Sequence, residues 1–152
     1  RWPVIPANVW REEREAARAR EYNGEYRIYA SDIDPAAVKL ARENARRAGV
    51  EELIEFSVGD ARRFERRTEN GVIVTNPPYG ERMMEKRAAG ELLTSFGEAW
   101  RSQDSWRLCL LTSDEEAERL LGVRADKRRK LYNGMIKCTL YIYNKVKAGS
   151  LN

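Results

Sequence analysis

The chain has 152 residues, enough for one domain with a hydrophobic core of its own. Its 28 Lys and Arg against 24 Asp and Glu leave a formal charge of +4, so the distribution of charge matters more than its total. No apolar run approaches the ~20 residues of a membrane span, nothing resembles a signal peptide, and the absence of histidine excludes His-based acid–base or metal chemistry.

The two cysteines bear on redox environment and metals. Cys109 and Cys138 both lie within apolar, strand-like runs, which favours buried free thiols in a reducing compartment. The sequence contains no metal-ligand spacing. It therefore predicts a cytoplasmic protein with no metal and no membrane partner.

The first third of the chain has a strand–helix–strand pattern. A helix capped by Asn8 is predicted over residues 9–21, a strand over 26–30, a helix over 35–48 and a strand over 53–58. Asp34 and Pro35 suit the start of the second helix, and Gly49 suits its end. This spacing is typical of a βαβ unit with two parallel strands and a right-handed crossover.

Acidic side chains follow both strands of this unit. Asp32 lies where a carboxylate can accept hydrogen bonds from the ribose hydroxyls of an adenosine-containing cofactor. Ile33 would lie against the adenine, and Asp60, followed by Ala61, could accept from its amino group. The alternative is that these acids only cap helices. We favour capping for Asp34 and cofactor binding for Asp32 and Asp60, because the latter two follow strand ends on one edge of the sheet.

Residues 71–75 read as a buried parallel strand that ends abruptly at Asn76-Pro77-Pro78-Tyr79. Neither proline can donate a hydrogen bond, so acceptors are left at the carboxyl end of the strand, where open α/β sheets bind ligands. The Asn76 side-chain oxygen and the Pro77 carbonyl could hold the two hydrogens of a nucleobase amine, and Tyr79 could stack on the base. The alternative is a proline turn with an ordinary core tyrosine.

The remaining elements alternate helix and strand and then end in a hairpin. A helix is predicted over 85–102, a strand over 106–111, a helix over 114–121 between Ser113 and Gly122, and hairpin strands over 130–132 and 135–143. The stripe Leu92, Leu93, Phe96 and Trp100 is assigned to the core, and Asn133-Gly134 is the predicted hairpin turn.

The hairpin region is basic, with eight Lys or Arg and one acid between Arg124 and Lys147. Apolar Ile136, Cys138, Leu140 and Ile142 alternate with Lys137, Thr139, Tyr141 and Tyr143, as in a half-exposed strand whose tyrosines face outward. This pattern suggests a nucleic-acid surface, although lysines also keep an ordinary edge strand soluble. The candidate phosphate-binding residues are Lys127, Arg128, Arg129, Lys130 and Lys137.

Together these segments resemble a class I S-adenosylmethionine-dependent methyltransferase. More narrowly, residues 2–10, 76–82 and 124–134 look like the THUMP-associated guanine-N2 methyltransferases of large-subunit ribosomal RNA. The resemblance implies a Rossmann-like α/β fold, mostly parallel with a C-terminal antiparallel hairpin, and S-adenosylmethionine as cofactor. It assigns Asp32 to the ribose, Asp60 to the adenine, Asn76 to Tyr79 to the reacting amine, and Arg82 to the RNA surface.

The resemblance implies methylation of an exocyclic amine, with guanine N2 in ribosomal RNA as the first expectation. Adenine N6 and a protein glutamine amide remain alternatives, because both present a weakly nucleophilic planar amine. A third alternative is a non-catalytic remnant that binds nucleic acid.

One departure from the family pattern concerns the start of the chain. The family's first strand, its glycine-rich loop and the THUMP domain should precede Arg1, so residues 1–152 are expected to be the C-terminal part of a single catalytic domain. The absent strand would lie between the strands at 26–30 and 71–75, leaving a gap of roughly 9–10 Å. The two flanking strands are therefore expected to pair directly, or another segment to lie between them.

Overall fold

The computed structural model describes residues 4–22, 24, 26–78, 83–103 and 106–144, with the backbone alone for Met83, Met84 and Asn133. The helices of these residues are α1 (Ala7–Ala19), α2 (Pro35–Ala48), α3 (Met83–Arg101) and α4 (Ala117–Leu121). The strands are β1 (Ile28–Asp32), β2 (Ile54–Val58), β3 (Gly71–Thr75), β4 (Trp106–Thr112), β5 (Lys127–Asn133) and β6 (Ile136–Tyr143). None of the described helices is long and apolar enough to cross a membrane.

The first unit is the predicted βαβ. β1 and β2 are parallel, in a register that runs from Ile28 opposite Ile54 to Asp32 opposite Val58. The Asp34 carboxylate accepts a hydrogen bond from the Ala36 amide at 2.8 Å, which caps α2. Gly49 ends the helix at φ 74°, a left-handed conformation that glycine adopts without steric cost. The predicted ends of α2 are confirmed.

The second sheet has the order β3-β4-β6-β5. β3 and β4 are parallel, whereas β6 runs antiparallel to both β4 and β5. The fold class is therefore confirmed: α/β, with parallel central pairing and an antiparallel hairpin at the C-terminal end. Because β5 and β4 both oppose β6, β5 runs in the same direction as β4.

The hydrophobic core lies between α3, α4 and one face of this second sheet. Trp100 packs edge-on against Tyr143 with ring centroids 5.3 Å apart, and its indole N–H donates to the Trp106 carbonyl at 2.9 Å. The predicted α3 stripe is buried at Leu93, Phe96 and Trp100 and half-buried at Leu92. The buried cluster comprises Leu93, Phe96, Trp100, Leu108, Leu110, Ala117, Leu121, Tyr141 and Tyr143.

Residues 61–68 connect the two sheets. The Phe64 ring lies between Phe96 and Trp106, at centroid distances of 6.3 and 5.6 Å. The Gln103 amide donates to the Phe64 carbonyl at 2.6 Å, which fixes this segment to the end of α3. From the same segment, Arg67 pairs with Glu55 of β2 at 2.8 Å.

Neither expectation for the gap is met among the described residues, since the flanking strands do not pair directly and no described strand lies between them. Among the described residues β1 pairs with β2 and β3 pairs with β4, so the strands form two separate sheets. The exposed side chains of Ile28 on β1 and of Val72 and Val74 on β3 show that water reaches both strands. Backbone N–H and C=O groups on a strand edge can be hydrogen-bonded by water when no strand pairs with them, so an unpaired edge is not by itself too costly to persist.

Several predicted element ends differ from those observed. Asn8 lies inside α1, which follows Pro6, and it donates to Glu12 rather than capping. Ser113 does not cap α4, because the turn before that helix is closed by the Asp114 carboxylate, which accepts from the Glu116 amide at 2.9 Å. The strand predicted at 26–30 begins two residues later, at Ile28.

The hairpin turn is also shifted by one residue. Asn133 and Ile136 pair across the strands, so the two loop residues are Gly134 and Met135. Gly134 has φ 61°, and the first position of a two-residue loop is where a positive φ favours glycine.

The predicted outward face of β6 is wrong as well. Tyr141 and Tyr143 are buried, whereas on the predicted apolar face Cys138 alone is buried, Leu140 and Ile142 are half-buried and Ile136 is exposed. The reason is that α3 and α4 cover the tyrosine face of the sheet. The tyrosine rings are large enough to fill that interface, and Tyr143 contacts Trp100 there. Alternation of polar and apolar residues along a strand does not show which face a helix will cover.

Candidate active site

The carboxyl ends of β1 and β2 bring together the acids predicted to bind a cofactor. The Asp32 carbonyl accepts the Gly59 amide at 2.9 Å, so the segment carrying Asp60 begins directly beside Asp32. The Asp32 carboxylate accepts the Asp34 amide through Oδ1 at 2.9 Å. Ile33 follows, with 63% of its surface exposed. An exposed aliphatic side chain beside two carboxylates is a polar and apolar pairing that an adenosine could use.

Asp60 is held by a residue that the sequence did not single out. The Arg62 guanidinium donates to both carboxylate oxygens, at 2.9 Å from Nε and 2.6 Å from Nη2, and the Arg62 amide adds a third donor at 3.0 Å. These hydrogen bonds lower the pKa of Asp60 to about 2. Arg62 thus occupies part of the acceptor capacity of the Asp60 carboxylate, which has about four lone-pair sites in all.

The residues present fit the adenosine part of S-adenosylmethionine. Asp32 offers carboxylate oxygen for ribose hydroxyls, and Ile33 offers an apolar surface for the adenine ring. Asp60 offers an ionised acceptor for the adenine amine, with Ala61 opening the 3-10 turn that follows it. When bound, S-adenosylmethionine supplies an electrophilic methyl carbon.

The carboxyl end of β3 carries the proposed amine-binding residues. Asn76 and Pro78 are exposed and Pro77 is half-buried, so Asn76 is not packed into hydrocarbon. Thr75 pairs with Leu110 of β4, so Asn76 lies just past the sheet at the carboxyl edge of two parallel strands. A ligand can reach this position from solvent. Tyr79 and Arg82 lie outside the described residues.

The hairpin projects past the same edge of the second sheet. Thr112, the last residue of β4, pairs with Thr139 of β6, and Thr139 pairs with Lys130 of β5. β5 continues for three more residues to Asn133, about 10 Å at ~3.3 Å per residue. The turn of the hairpin and Asn76 therefore lie at the same edge of the second sheet.

The basic side chains of the hairpin differ in whether an acid pairs with them and in which face of the ribbon they occupy. Arg128 is bound by Glu118 of α4, at 2.9 Å from Nε and 2.5 Å from Nη2, and Lys137 lies 3.6 Å from Glu115. Lys127, Arg129 and Lys130 are exposed on β5, an edge strand among the described residues. The structure thus places Lys127 and Arg129 on one face of the ribbon and Arg128 and Lys130 on the other.

Arg62 and Glu118 were both missed by sequence reasoning. Arg62 left a usable signal, since an arginine two residues after an Asp that caps a tight turn can reach that carboxylate. Glu118 left none. It accepts from Arg128, ten residues further along the chain, and from the Ala125 amide at 2.8 Å, contacts that only the packing of α4 beside β5 creates.

Parallel strand pairs with acids after β1 and β2 and Asn-Pro-Pro after β3, followed by an antiparallel C-terminal hairpin, define a class I methyltransferase fold. Residues 3–142 match the family model described as RMKL-like, methyltransferase domain. The chain belongs to this RMKL-like methyltransferase family, whose cofactor is S-adenosylmethionine, and the predicted membership is confirmed.

Two curated relatives illustrate the match. The chain is 41% identical over 143 residues to YpsC of Bacillus subtilis, which is named for RNA methylation, covering 93% of this chain and 37% of YpsC. It is 41% identical over 147 residues to the ribosomal RNA large subunit methyltransferase K/L of Shewanella baltica, covering 93% of this chain and 21% of that protein. The chain thus spans between about a fifth and two fifths of the length of these relatives.

Solved structures agree on the fold. A methylase structure from Clostridium difficile superposes with a TM-score of 0.84 at 42% identity, over 96% of this chain and 39% of that one. SMU.472, solved with SAH, superposes with a TM-score of 0.81 at 36% identity, over 93% of this chain and 38% of that one. A Listeria monocytogenes protein described as a predicted N6-adenine-specific DNA methylase superposes with a TM-score of 0.79 at 35% identity. The match covers 93% of this chain and 37% of that one. Because each superposition covers both sheets, their relative placement is that of these methyltransferase folds.

Proposed function

We propose that the whole protein transfers a methyl group from S-adenosylmethionine to an exocyclic amine of RNA, with guanine N2 of large-subunit ribosomal RNA as the acceptor. Residues 1–152 would form one catalytic domain or part of one. The observation that carries the proposal is the position of Asn76 and Pro77 at the solvent-accessible carboxyl rim of β3. The K/L name of a 41% identical relative supports the choice of ribosomal RNA.

The proposed chemistry depends on positioning. The lone pair of a guanine amine is delocalised into the ring, which makes the nitrogen a weak nucleophile. The Asn76 side-chain oxygen and the Pro77 carbonyl would accept its two N–H groups, favouring a pyramidal nitrogen whose lone pair points at the methyl carbon. Pro78 stiffens the backbone behind these acceptors, and Tyr79 would stack on the extruded base. No strong base is needed, since the proton becomes acidic as the new bond forms and can leave to water.

Phosphate binding would come from the hairpin. Lys127, Arg129 and Lys130 are exposed, and Lys137 is held only loosely by Glu115, so these residues would contact the RNA backbone together with Arg82. Arg128 would have to exchange its close ion pair with Glu118 for a phosphate. We therefore expect Arg128 to contribute less to RNA affinity than Arg129.

The test of the proposed reaction is Asn76→Ala in the whole protein. Removal of this acceptor should abolish methyl incorporation into RNA while S-adenosylmethionine affinity, measured by calorimetry, changes little, because Asp32 and Asp60 remain. Asn44→Ala is the matched control, an exposed asparagine on α2. A normal rate in the Asn76→Ala protein would refute the role of the amide.

Adenine N6 is the second candidate acceptor, favoured by the name of the Listeria monocytogenes neighbour. Both amines are planar and would satisfy the same two acceptors. Nucleoside mass spectrometry of methylated RNA separates them, because N2-methylguanosine and N6-methyladenosine differ in mass. Methylation of a protein glutamine amide instead would leave the RNA unlabelled.

A non-catalytic remnant is the third candidate, and calorimetry on the 152-residue chain tests it. Measurable S-adenosylmethionine binding that Asp32→Ala removes would contradict that candidate and support the adenosine site at the β1–β2 rim.

A further inference from the structure

The tip of the β5–β6 hairpin is apolar and uncovered. Met135 is 99% exposed and Tyr132 is 73% exposed, and Leu131 and Ile136 are each more than two fifths exposed. We call these four residues the hairpin tip. Two-residue turns favour Gly, Asn, Asp or Ser, because these residues tolerate a positive φ or hydrogen-bond to the turn backbone. Met135, the second loop residue, has neither property. Leu131 and Ile136 lie on one face of the ribbon and Tyr132 on the other, so the tip is apolar on both faces. Large apolar side chains that no described residue covers mark a contact surface.

The tip is aligned with the candidate active site. Thr75 of β3 is level with Leu110, Tyr141 and Arg128 across the sheet, so β5 extends five residues past that level to Asn133. At ~3.3 Å per residue and ~4.8 Å between strands, the tip lies roughly 15–20 Å from Asn76, beyond the same rim. One structured nucleic acid can therefore touch both places.

The charge around the tip indicates what it meets. Lys127, Arg129 and Lys130 lie along the strand that leads to it, and Lys137 lies opposite Tyr132 on β6. Apolar and aromatic residues at the end of a cationic ribbon match a partner that has phosphates outside and stacked apolar bases inside. Arg128 is neutralised by Glu118, which leaves the positive charge on the exposed edge of β5.

We propose that the hairpin tip is a wedge that enters the base stack of structured RNA next to the target nucleotide. Met135 and Tyr132 would fill the space that the extruded base leaves, while the ribbon's cations hold the flanking phosphates. Apolar wedges inserted between base steps unstack them, and an unstacked base costs less to extrude. This inference rests on the proposed RNA methylation, and it identifies the hairpin tip as the element that unstacks the RNA bases beside the target nucleotide.

The experiment uses the whole protein and an RNA stem-loop with a bulged guanosine and 2-aminopurine as the neighbouring base. Fluorescence of 2-aminopurine rises when the base is unstacked, and anisotropy of an end label reports binding. The wedge variant is Tyr132→Ala/Met135→Ala. The matched control is Tyr22→Ala/Val4→Ala, since Tyr22 is also 73% exposed and Val4 is 84% exposed, far from the hairpin in sequence. A charge variant, Lys127→Ala/Arg129→Ala, completes the set.

We expect the wild type and the control to bind RNA and raise the fluorescence. The wedge variant should bind with an unchanged dependence on salt but without the rise, whereas the charge variant should reduce the slope of log K against log salt by about 0.7–0.9 for each phosphate that it no longer neutralises. A rise that survives in the wedge variant, or a wild type that binds without any rise, overturns the wedge and leaves RNA methylation standing.

Two further outcomes would also overturn the proposal. Absence of salt-dependent RNA binding by the wild type overturns the RNA substrate itself, and the wedge with it. Tip-dependent binding to anionic phosphatidylglycerol vesicles without the fluorescence rise would show a membrane anchor in place of a wedge.

Discussion

The Asp60 carboxylate is kept ionised by its neighbour in the chain. Hydrogen bonds from the Arg62 side chain and backbone lower the pKa of Asp60 to about 2. A depressed carboxylate pKa stabilises the fold above the ordinary Asp value near 4, and that stabilisation is lost only as pH falls through about 2. Between pH 5 and 8 the charge of Asp60 is constant, so its contribution to cofactor binding should not vary with pH.

The first prediction follows from this pair. In a carbon-detected NMR titration, the Asp60 carboxyl should titrate with a midpoint near 2, and Arg62→Gln should move the midpoint toward the ordinary Asp value. A wild-type midpoint near 4 would contradict the contact.

Tyr143 carries a buried hydroxyl without a partner among the described residues. Burial, assisted by the charge of Glu118, raises the pKa of Tyr143 far above its usual range. The ring is useful to the core through its contact with Trp100, but the hydroxyl has lost water and gained no hydrogen bond.

We therefore predict that Tyr143→Phe stabilises the chain by about 1 kcal/mol, a rise in melting temperature of roughly 2–4 °C for a chain of this size. Tyr141→Phe is the control, since the Tyr141 hydroxyl, unlike that of Tyr143, is not a buried group without a partner, and its removal should not raise stability. Differential scanning calorimetry measures both. A lower melting temperature for Tyr143→Phe would mean that its hydroxyl is satisfied.

At the scale of elements, Glu118 joins α4 to the start of the hairpin. Its carboxylate, only 19% exposed, accepts the Ala125 amide at 2.8 Å and the Arg128 guanidinium at 2.5 Å. The hairpin is thereby anchored to the helical layer at its base, while its tip extends freely. This arrangement gives a rigid ribbon with a projecting end.

Glu118→Ala should therefore destabilise the chain by about 1–3 kcal/mol, because it leaves a half-buried amide and a guanidinium without their acceptor. Glu116→Ala is the matched control, at the residue that immediately precedes α4. Its pair with Arg119 is 64% and 67% exposed, and such surface pairs contribute about 0–1 kcal/mol. Urea denaturation of both variants measures the two losses of stability. Equal losses of stability would show that Glu118 is an ordinary surface acid.

At the scale of the whole molecule, the two sheets differ in how well they are packed. The buried cluster belongs to the second sheet and its helices, whereas Ala45 is the one buried residue of α2 and α1 has none. Regions with few buried apolar contacts open locally at low free energy. The proposed cofactor site thus lies on the less well packed part of the described chain.

Hydrogen exchange should show this difference. We predict the slowest amide exchange in β4 and β6 and faster exchange in β1 and α2. Added S-adenosylmethionine at 100 times its Kd should slow exchange at residues 31–34 and 59–63 by up to about a hundredfold, since a ligand that binds only the folded form stabilises it by ~2.7 kcal/mol. Unchanged exchange there, with slowing elsewhere, would move the cofactor site.

The sequence was sufficient for elements whose signals are local. Asp34, Pro35 and Gly49 specify the ends of α2 through a side-chain cap, a fixed φ and a left-handed terminus, none of which needs a distant partner. The acids after β1 and β2 and the Asn-Pro-Pro after β3 could be placed at strand ends for the same reason. Family membership followed from these motifs.

Only the tertiary structure decided which surfaces are covered. Alternation along β6 defines two faces, but the choice of the tyrosine face as the buried one depends on α3 and α4, which lie elsewhere in the sequence. Likewise, the neutralisation of Arg128 by Glu118 and the exposure of Met135 at the tip depend on how helix, sheet and hairpin meet. Turns and caps are fixed by neighbouring residues in the chain, whereas burial and charge pairing are fixed by neighbours in space.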